Sequence, residues 1–140
     1  MAKIDGDGEG ASGIALSALR AQQARMRIIA ENMANSSSTS SVPGGQPYRR
    51  QAPVFEVAKT ADGGKGVRMK AAAPDLSPFG KEYNPGHPAA DAAGYVLLPN
   101  VNGLIEGLDM KQAMRAYEAN LNVLETQDAM EKSTLSLLQK

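Results

Sequence analysis

All eight prolines of this chain lie between positions 43 and 99, and the stretches on either side hold none. Proline lacks a backbone N–H and its ring clashes with the preceding helical turn, so long helices are confined to the two ends and irregular sheet and loop to the middle. The order that follows is helix, irregular sheet, helix.

The N-terminal stretch at 12–35, SGIALSALRAQQARMRIIAENMAN, is built from good helix formers, with Ser12 placed to cap it. It predicts a helix of about 22 residues, roughly 33 Å long, after a flexible N-terminus at 1–11. Ala15, Leu19, Gln22, Met26, Ile29 and Met33 recur in steps of four and three, the spacing of a coiled-coil seam. Ala11, Ala18, Ala21 and Ala30 widen that stripe with small side chains and so permit close approach of a second helix.

The C-terminal stretch repeats the pattern. Met110, Met114, Tyr117, Leu121, Leu124, Leu135 and Leu138 fall on one four-three register, interrupted by charge at Asp128 and Glu131. One long helix over 102–140 is predicted, capped by Asn102 and weakened at its start by Gly103 and Gly107, each about 1 kcal/mol poorer than alanine. Between the helices, SSSTSSVPGG at 36–45 has the composition of a mobile connection that buries nothing. PVFEV at 53–57 and GVRMKA at 66–71 alternate apolar with polar residues around the turn sequence ADGG at 61–64, which predicts a hairpin. YVLL at 95–98 predicts a third strand ending at Pro99. With aromatics at 4% of the chain, this linker and small β/loop unit at 36–101 leans on the helices rather than forming its own barrel. The fold class is thus mainly α with a small β-rich middle. Its antiparallel terminal helices form a coiled-coil-like hairpin that carries a loop and short-strand insertion.

Composition narrows the function. Fifteen Lys and Arg balance fifteen Asp and Glu, which removes the general drive toward nucleic acid or anionic lipid. The absence of cysteine excludes disulfides, thiolate metal sites and cysteine nucleophiles. No N-terminal apolar core reads as a secretory signal, and no apolar run reaches the length of a membrane span.

The segment SPFGKEYNPGHPAADAAGYVLLPNVN at 77–102 gathers the residue types of a hydrolase: Ser77, the lone His87, and Asp75 or Asp91 nearby. Ser77 precedes a proline and has no glycine-flanked elbow, and His87 sits between Gly86 and Pro88 in a turn sequence. A single histidine offers no metal-ligand pair, and the glycine pairs at 44–45 and 63–64 lack the Lys-Ser/Thr of a phosphate loop. The segment therefore predicts a pinned structural loop formed by Pro78, Tyr83, Pro85, His87, Pro88 and Tyr95, with no catalytic, metal or cofactor residue.

The motifs SPF at 77–79, YNPGHPAADAAGYV at 83–96, PNVN at 99–102 and DMKQAMRAYEAN at 109–120 together resemble the bacterial flagellar basal-body rod proteins of the FlgC type. ALSALRAQQARMRIIAENMAN at 15–35 and YRR at 48–50 extend the likeness over nearly the whole chain. The Pro-Gly-His-Pro stretch is the part specific to that rod subunit. Three departures stand out: the Ser-rich run at 36–41 with Pro43, Gly44 and Gly45, Gly103 where the family tends to place proline, and Gly107 where it has a larger apolar residue.

The resemblance implies a structural subunit of the proximal rod, transmitting torque from motor to hook. It implies export through the flagellar type III apparatus without a cleaved signal, and assembly in the periplasm with copies of itself and rod subunits of the FlgB, FlgF and FliE types. Neither nucleic acid nor direct membrane insertion is expected. The stripes alone fit an intramolecular hairpin with no polymer equally well, and a coiled-coil interaction or adaptor protein is the alternative function. On the assembly reading, Leu19, Met26, Ile29, Met33, Met110, Met114, Tyr117, Leu121, Leu124, Leu135 and Leu138 form the helix-packing and assembly interface. The termini of the isolated chain are then expected to be mobile and to become helical only on assembly.

Overall fold

In a computed structural model, residues 7–139 are described. Helix α1 spans Asp7–Ala34 and helix α2 Gly103–Leu138. Six short strands lie between them: β1 Gln51–Ala52, β2 Phe55–Lys59, β3 Lys65–Met69, β4 Ala73–Pro74, β5 Gly80–Tyr83 and β6 Tyr95–Leu98. Among the described residues they pair as three antiparallel two-stranded ladders, β1 with β4, β2 with β3 and β5 with β6. The molecule is mainly helical, with a small β middle between its two helices in sequence.

Helix α1 starts before Ser12, so part of the segment expected to be a flexible N-terminus is helical, while residues 1–6 lie outside the described set. Glycine at position 13 is part of the reason the helix can run on beside the hairpin. A side chain there would collide with the Asp62 carboxylate, and one at Gly66 would collide with Ser17. Ser17 Oγ donates to the Ile14 carbonyl at 2.7 Å and accepts the Val67 N–H at 3.1 Å, which ties β3 to the helix. The helix α2 cap is as read from the sequence: Asn102 Oδ1 accepts the N–H groups of Leu104 and Ile105 at 3.0 and 3.3 Å.

The hairpin forms around the expected turn, closed by Thr60 N–H to Gly64 O at 2.9 Å, but pairs over Phe55–Lys59 rather than from Pro53, which has no N–H to contribute. Strand β6 has the expected bounds; its partner β5 and the short β1–β4 ladder were not anticipated. Residues 36–45 are also not an unattached linker. Gly44 N–H donates to Ala89 O at 3.1 Å, Tyr48 N–H to Ser38 O at 3.0 Å, and several of the serines are half-buried.

Contacts divide the chain into two compact units. One comprises the chain up to Met26, Phe55–Lys70 and Gln112–Lys140; the other comprises Arg27–Val54 and Ala71–Lys111. In the first, Arg25 Nη2 donates to Gln112 Oε1 at 3.0 Å, which sets the antiparallel register of the helices there. In the second, Asn32 Nδ2 donates to Glu106 Oε2 at 3.2 Å and does the same.

Candidate assembly interface

The α1 stripe meets its partner inside the chain. Ala15, Leu19, Ala21, Ile28 and Ile29 are buried, and Gln22 and Met26 half-buried. Each large aliphatic side chain so covered contributes about 1.5–3 kcal/mol. Met33, expected on the seam, is exposed, and the adjacent Asn32 is buried in its place. The stripe gives way here to a polar contact.

On α2 the face turned inward runs through Glu106, Met110, Ala113, Tyr117, Asn120, Leu124 and Gln127, of which Glu106 and Ala113 are fully buried. Met110, Tyr117 and Leu124 of the expected register belong to it. Met114, Leu121, Leu135 and Leu138 do not: they are exposed, together with Leu104, Ile105, Leu108, Val123, Met130 and Leu137. The intrachain seam alternates large with small or polar residues, and the position following each small one carries the exposed apolar side chain. Leu104, Ile105, Leu108, Val123, Met130 and Leu137 fall within about 100° of one another on the side away from Ala113, and this second apolar face has to be covered.

The second unit is organised by a buried polar cluster that stripe-reading passed over. Asn32 has both oxygen lone pairs and both amide hydrogens engaged. Its Oδ1 accepts from Tyr48 Oη and Gln51 N, each at 2.9 Å, and its Nδ2 donates to Gln51 O at 2.8 Å as well as to Glu106. Glu106 takes Arg50 Nε on its other oxygen. The same guanidinium reaches Asp75 at 3.4 Å and Asp109 at 3.7 Å. Asn100 Oδ1 accepts Arg50 N–H at 2.7 Å, while its Nδ2 donates to the carbonyls of Asp75 and Ser77 at 3.0 and 3.1 Å.

Electrostatics follow from this geometry. Burial works against the Arg50 charge, but the bond to Glu106 and the field of Asp75 outweigh it and raise its pKa. The Ser77 amide, and then the Ser77 hydroxyl and Arg50, hold the Asp75 carboxyl below the usual range. Burial foremost, then the negative charges of Glu31 and Glu106, keep the Tyr48 phenol protonated and able to donate to Asn32. The sequence signal for this cluster was thin: a polar residue one step off the apolar stripe, and the YRR segment.

The loop with the lone histidine is a run of turns. His87 N–H donates to Asn84 O at 3.1 Å, and His87 Nδ1 accepts the Ala89 N–H at 3.0 Å. Ser77 Oγ accepts Asn100 Nδ2, and among the described residues no hydrogen bond joins Ser77 to His87. Tyr83 and Tyr95 stand opposite each other across β5 and β6 with ring centroids 5.3 Å apart, and both are exposed. Pro78, Pro85 and Pro88 are exposed at the bends around them. The Arg49 guanidinium lies 4.1 Å from the centre of the Phe79 ring. No described helix is long and apolar enough to cross a membrane.

Comparison with known proteins covers these same elements. Residues 92–137, from the loop before β6 to the last turn of α2, match the family model described as the C-terminal part of the flagellar basal body rod FlgEFG proteins. The chain is 45% identical to the flagellar basal-body rod protein FlgC of Agrobacterium fabrum strain C58 over 91% of its own length and 93% of the relative's. It is 42% identical to the protein of that name in Salmonella typhimurium strain LT2, over 89% and 92% of the two chains. For the one in Borreliella burgdorferi strain B31 the identity is 40%, over 90% and 94%.

Proposed function

This chain belongs to the family of flagellar basal-body rod proteins of the FlgC type, and on that premise we propose how its structure serves a rod subunit. It is a structural component of the flagellar basal-body rod. The observation that carries the mechanism is the second apolar face of α2, from Leu104 to Leu137. Its inner face is occupied by α1, and the outer face is covered by neighbouring subunits. Contacts between unlike faces repeat along a screw axis that does not close, which generates a tube. Torque passes through many parallel helix contacts and uses no reactive group.

Copies of this chain and rod subunits of the FlgB, FlgF and FliE types supply those neighbours, in the periplasmic part of the proximal rod. The chain reaches it through the flagellar type III export apparatus without loss of an N-terminal signal. An adaptor with a coiled-coil stalk is not favoured, because relatives named as rod proteins align along about nine-tenths of the chain. Since α1 already has partners within the chain, ordering on assembly concerns the end of α2, where residues 128–139 are all exposed. In the free chain, amides there exchange quickly and become protected in the rod.

Image reconstruction of purified basal bodies, with mass spectrometry of the chain's N-terminal peptide, tests the reading. Density for this chain in the proximal rod and an unprocessed N-terminus are expected. Basal bodies that assemble fully without the chain would sink it.

A further inference from the structure

Within the first unit, an open groove of about 830 Å³ runs between the N-terminal half of α1, the β2–β3 hairpin and the α2 side chains of Asp128 and Glu131. Leu16, Val67 and Met69 make its lining apolar. Arg20, Lys59 and Arg68 line it from α1 and the hairpin, with Asp62 at the hairpin turn, and Asp128 and Glu131 line it from α2. Among the described residues Arg20, Lys59, Asp128 and Glu131 are in no ion pair, whereas Arg68 is paired with Glu56 and Asp62 accepts from the Thr60 hydroxyl. The groove thus has a basic side, an acidic side and an apolar lining.

The end of α2 has the complementary pattern. Met130, Leu137 and Leu138 are 66%, 73% and 79% exposed. At about 100° per residue they fall with Thr134 on one stripe, with Glu131 on one flank and Ser133 and Ser136 on the other. We propose that the groove receives the last turns of α2 from a second copy of this chain. Met130, Leu137 and Leu138 of the incoming helix lie along the apolar lining. Its Glu131 flank meets Arg20 and Lys59, and the Ser133 and Ser136 hydroxyls donate to Asp128 of the receiving copy.

A copy does not fill its own groove this way. The register set by Arg25 and Gln112 puts Leu16 opposite Leu121, and Leu138 lies roughly 26 Å further along the helix. Apart from Glu131, donor stripe and receiving groove are different surfaces, so the contact propagates from copy to copy instead of closing on a pair. The inference rests on the rod-subunit reading and names one of its contacts.

The chain has no cysteine, so introduced thiols are the sole ones. Leu16→Cys and Leu138→Cys are expressed on separate copies in the same motile cells, and purified basal bodies are treated with a short bis-maleimide. A covalent dimer of this chain is expected from the mixed cells and from neither variant alone. Mass spectrometry of the same basal bodies counts the subunit. If the chain is present without a dimer, or if Leu138→Cys joins a different rod protein, this contact is overturned and the rod role stands. If the unaltered chain is itself absent from basal bodies, the rod role fails and the contact with it. Should either thiol hinder incorporation, Val67→Cys with Leu137→Cys reads the same contact.

Discussion

The two units hold their helix pairs by different physics. In the first, Ala15, Leu19, Ala21 and Ala113 pack an apolar seam of small residues. In the second, the seam is taken over by Asn32 and Glu106, both with no exposed surface, and by the Arg50 guanidinium that joins them to Asp75 and Asp109. Apolar area is tolerant of register, because a helix slipped by one turn buries almost as much. A buried amide with all its bonds made and a carboxylate on a guanidinium tolerate no slip, since every misplaced group loses its partner in a medium that cannot replace it. The first unit thus has adhesion with one exposed register contact, Arg25 with Gln112, and the second a buried register device.

Removing the register device should give the largest effect. Glu106→Ala leaves Arg50 and Asn32 short of a partner and is expected to cost about 3–5 kcal/mol in urea unfolding. A cost below that of a single apolar truncation would show that the polar cluster is decoration. Leu19→Ala on the apolar seam is that comparison, expected at about 2–4 kcal/mol, with the helices still in register by thiol cross-linking. A slipped register in Leu19→Ala, or an unshifted one in Glu106→Ala, would reverse the division of labour.

Two smaller perturbations sharpen it. Leu124→Asp places a carboxylate on the inner face of α2 and should lower the stability of the free chain, whereas Leu108→Asp, on the outer face and 58% exposed, should change it by no more than about 0.5 kcal/mol. Both should reduce incorporation into basal bodies. Normal incorporation of Leu108→Asp would mean that the outer face is not an assembly surface. The smallest effect belongs to Asp75. Its folded pKa lies below the ordinary carboxylate value, so its contribution is present above that value and disappears as pH falls through the folded one. Asp75→Asn should remove that contribution at neutral pH and flatten the acid limb, so that the two stability profiles converge below about pH 4. An unaltered acid limb would place the acid sensitivity elsewhere.

Much of the architecture was legible. Proline distribution separated the helical ends from the middle, the four-three stripe of α1 named Ala15, Leu19 and Ile29, which are buried, along with Met33, which is not, and the ADGG turn located the hairpin. The α2 register was read half correctly. Met110, Tyr117 and Leu124 face inward, but Met114 and Leu121 were assigned to the same seam because they are large and apolar. The inward positions between them are Ala113 and Asn120, which hydropathy undervalues. Strand β5 was invisible because Gly80, Lys81 and Glu82 have no strand-like alternation; its hydrogen bonds come from the pairing with β6.

What the sequence by itself determined is therefore local: where helix is allowed, where the chain turns, which caps start α2, and how apolar residues repeat. These depend on neighbours a few positions away, and the residues that set them are read directly. The tertiary structure alone decided which of two apolar lines on α2 meets α1, and that Asn32, Arg50, Asp75 and Glu106 converge from four distant stretches. A polar side chain is favourable in a core only when its partners are in place. Its role is fixed by positions 18 to 74 residues away and carries no signature in its own surroundings.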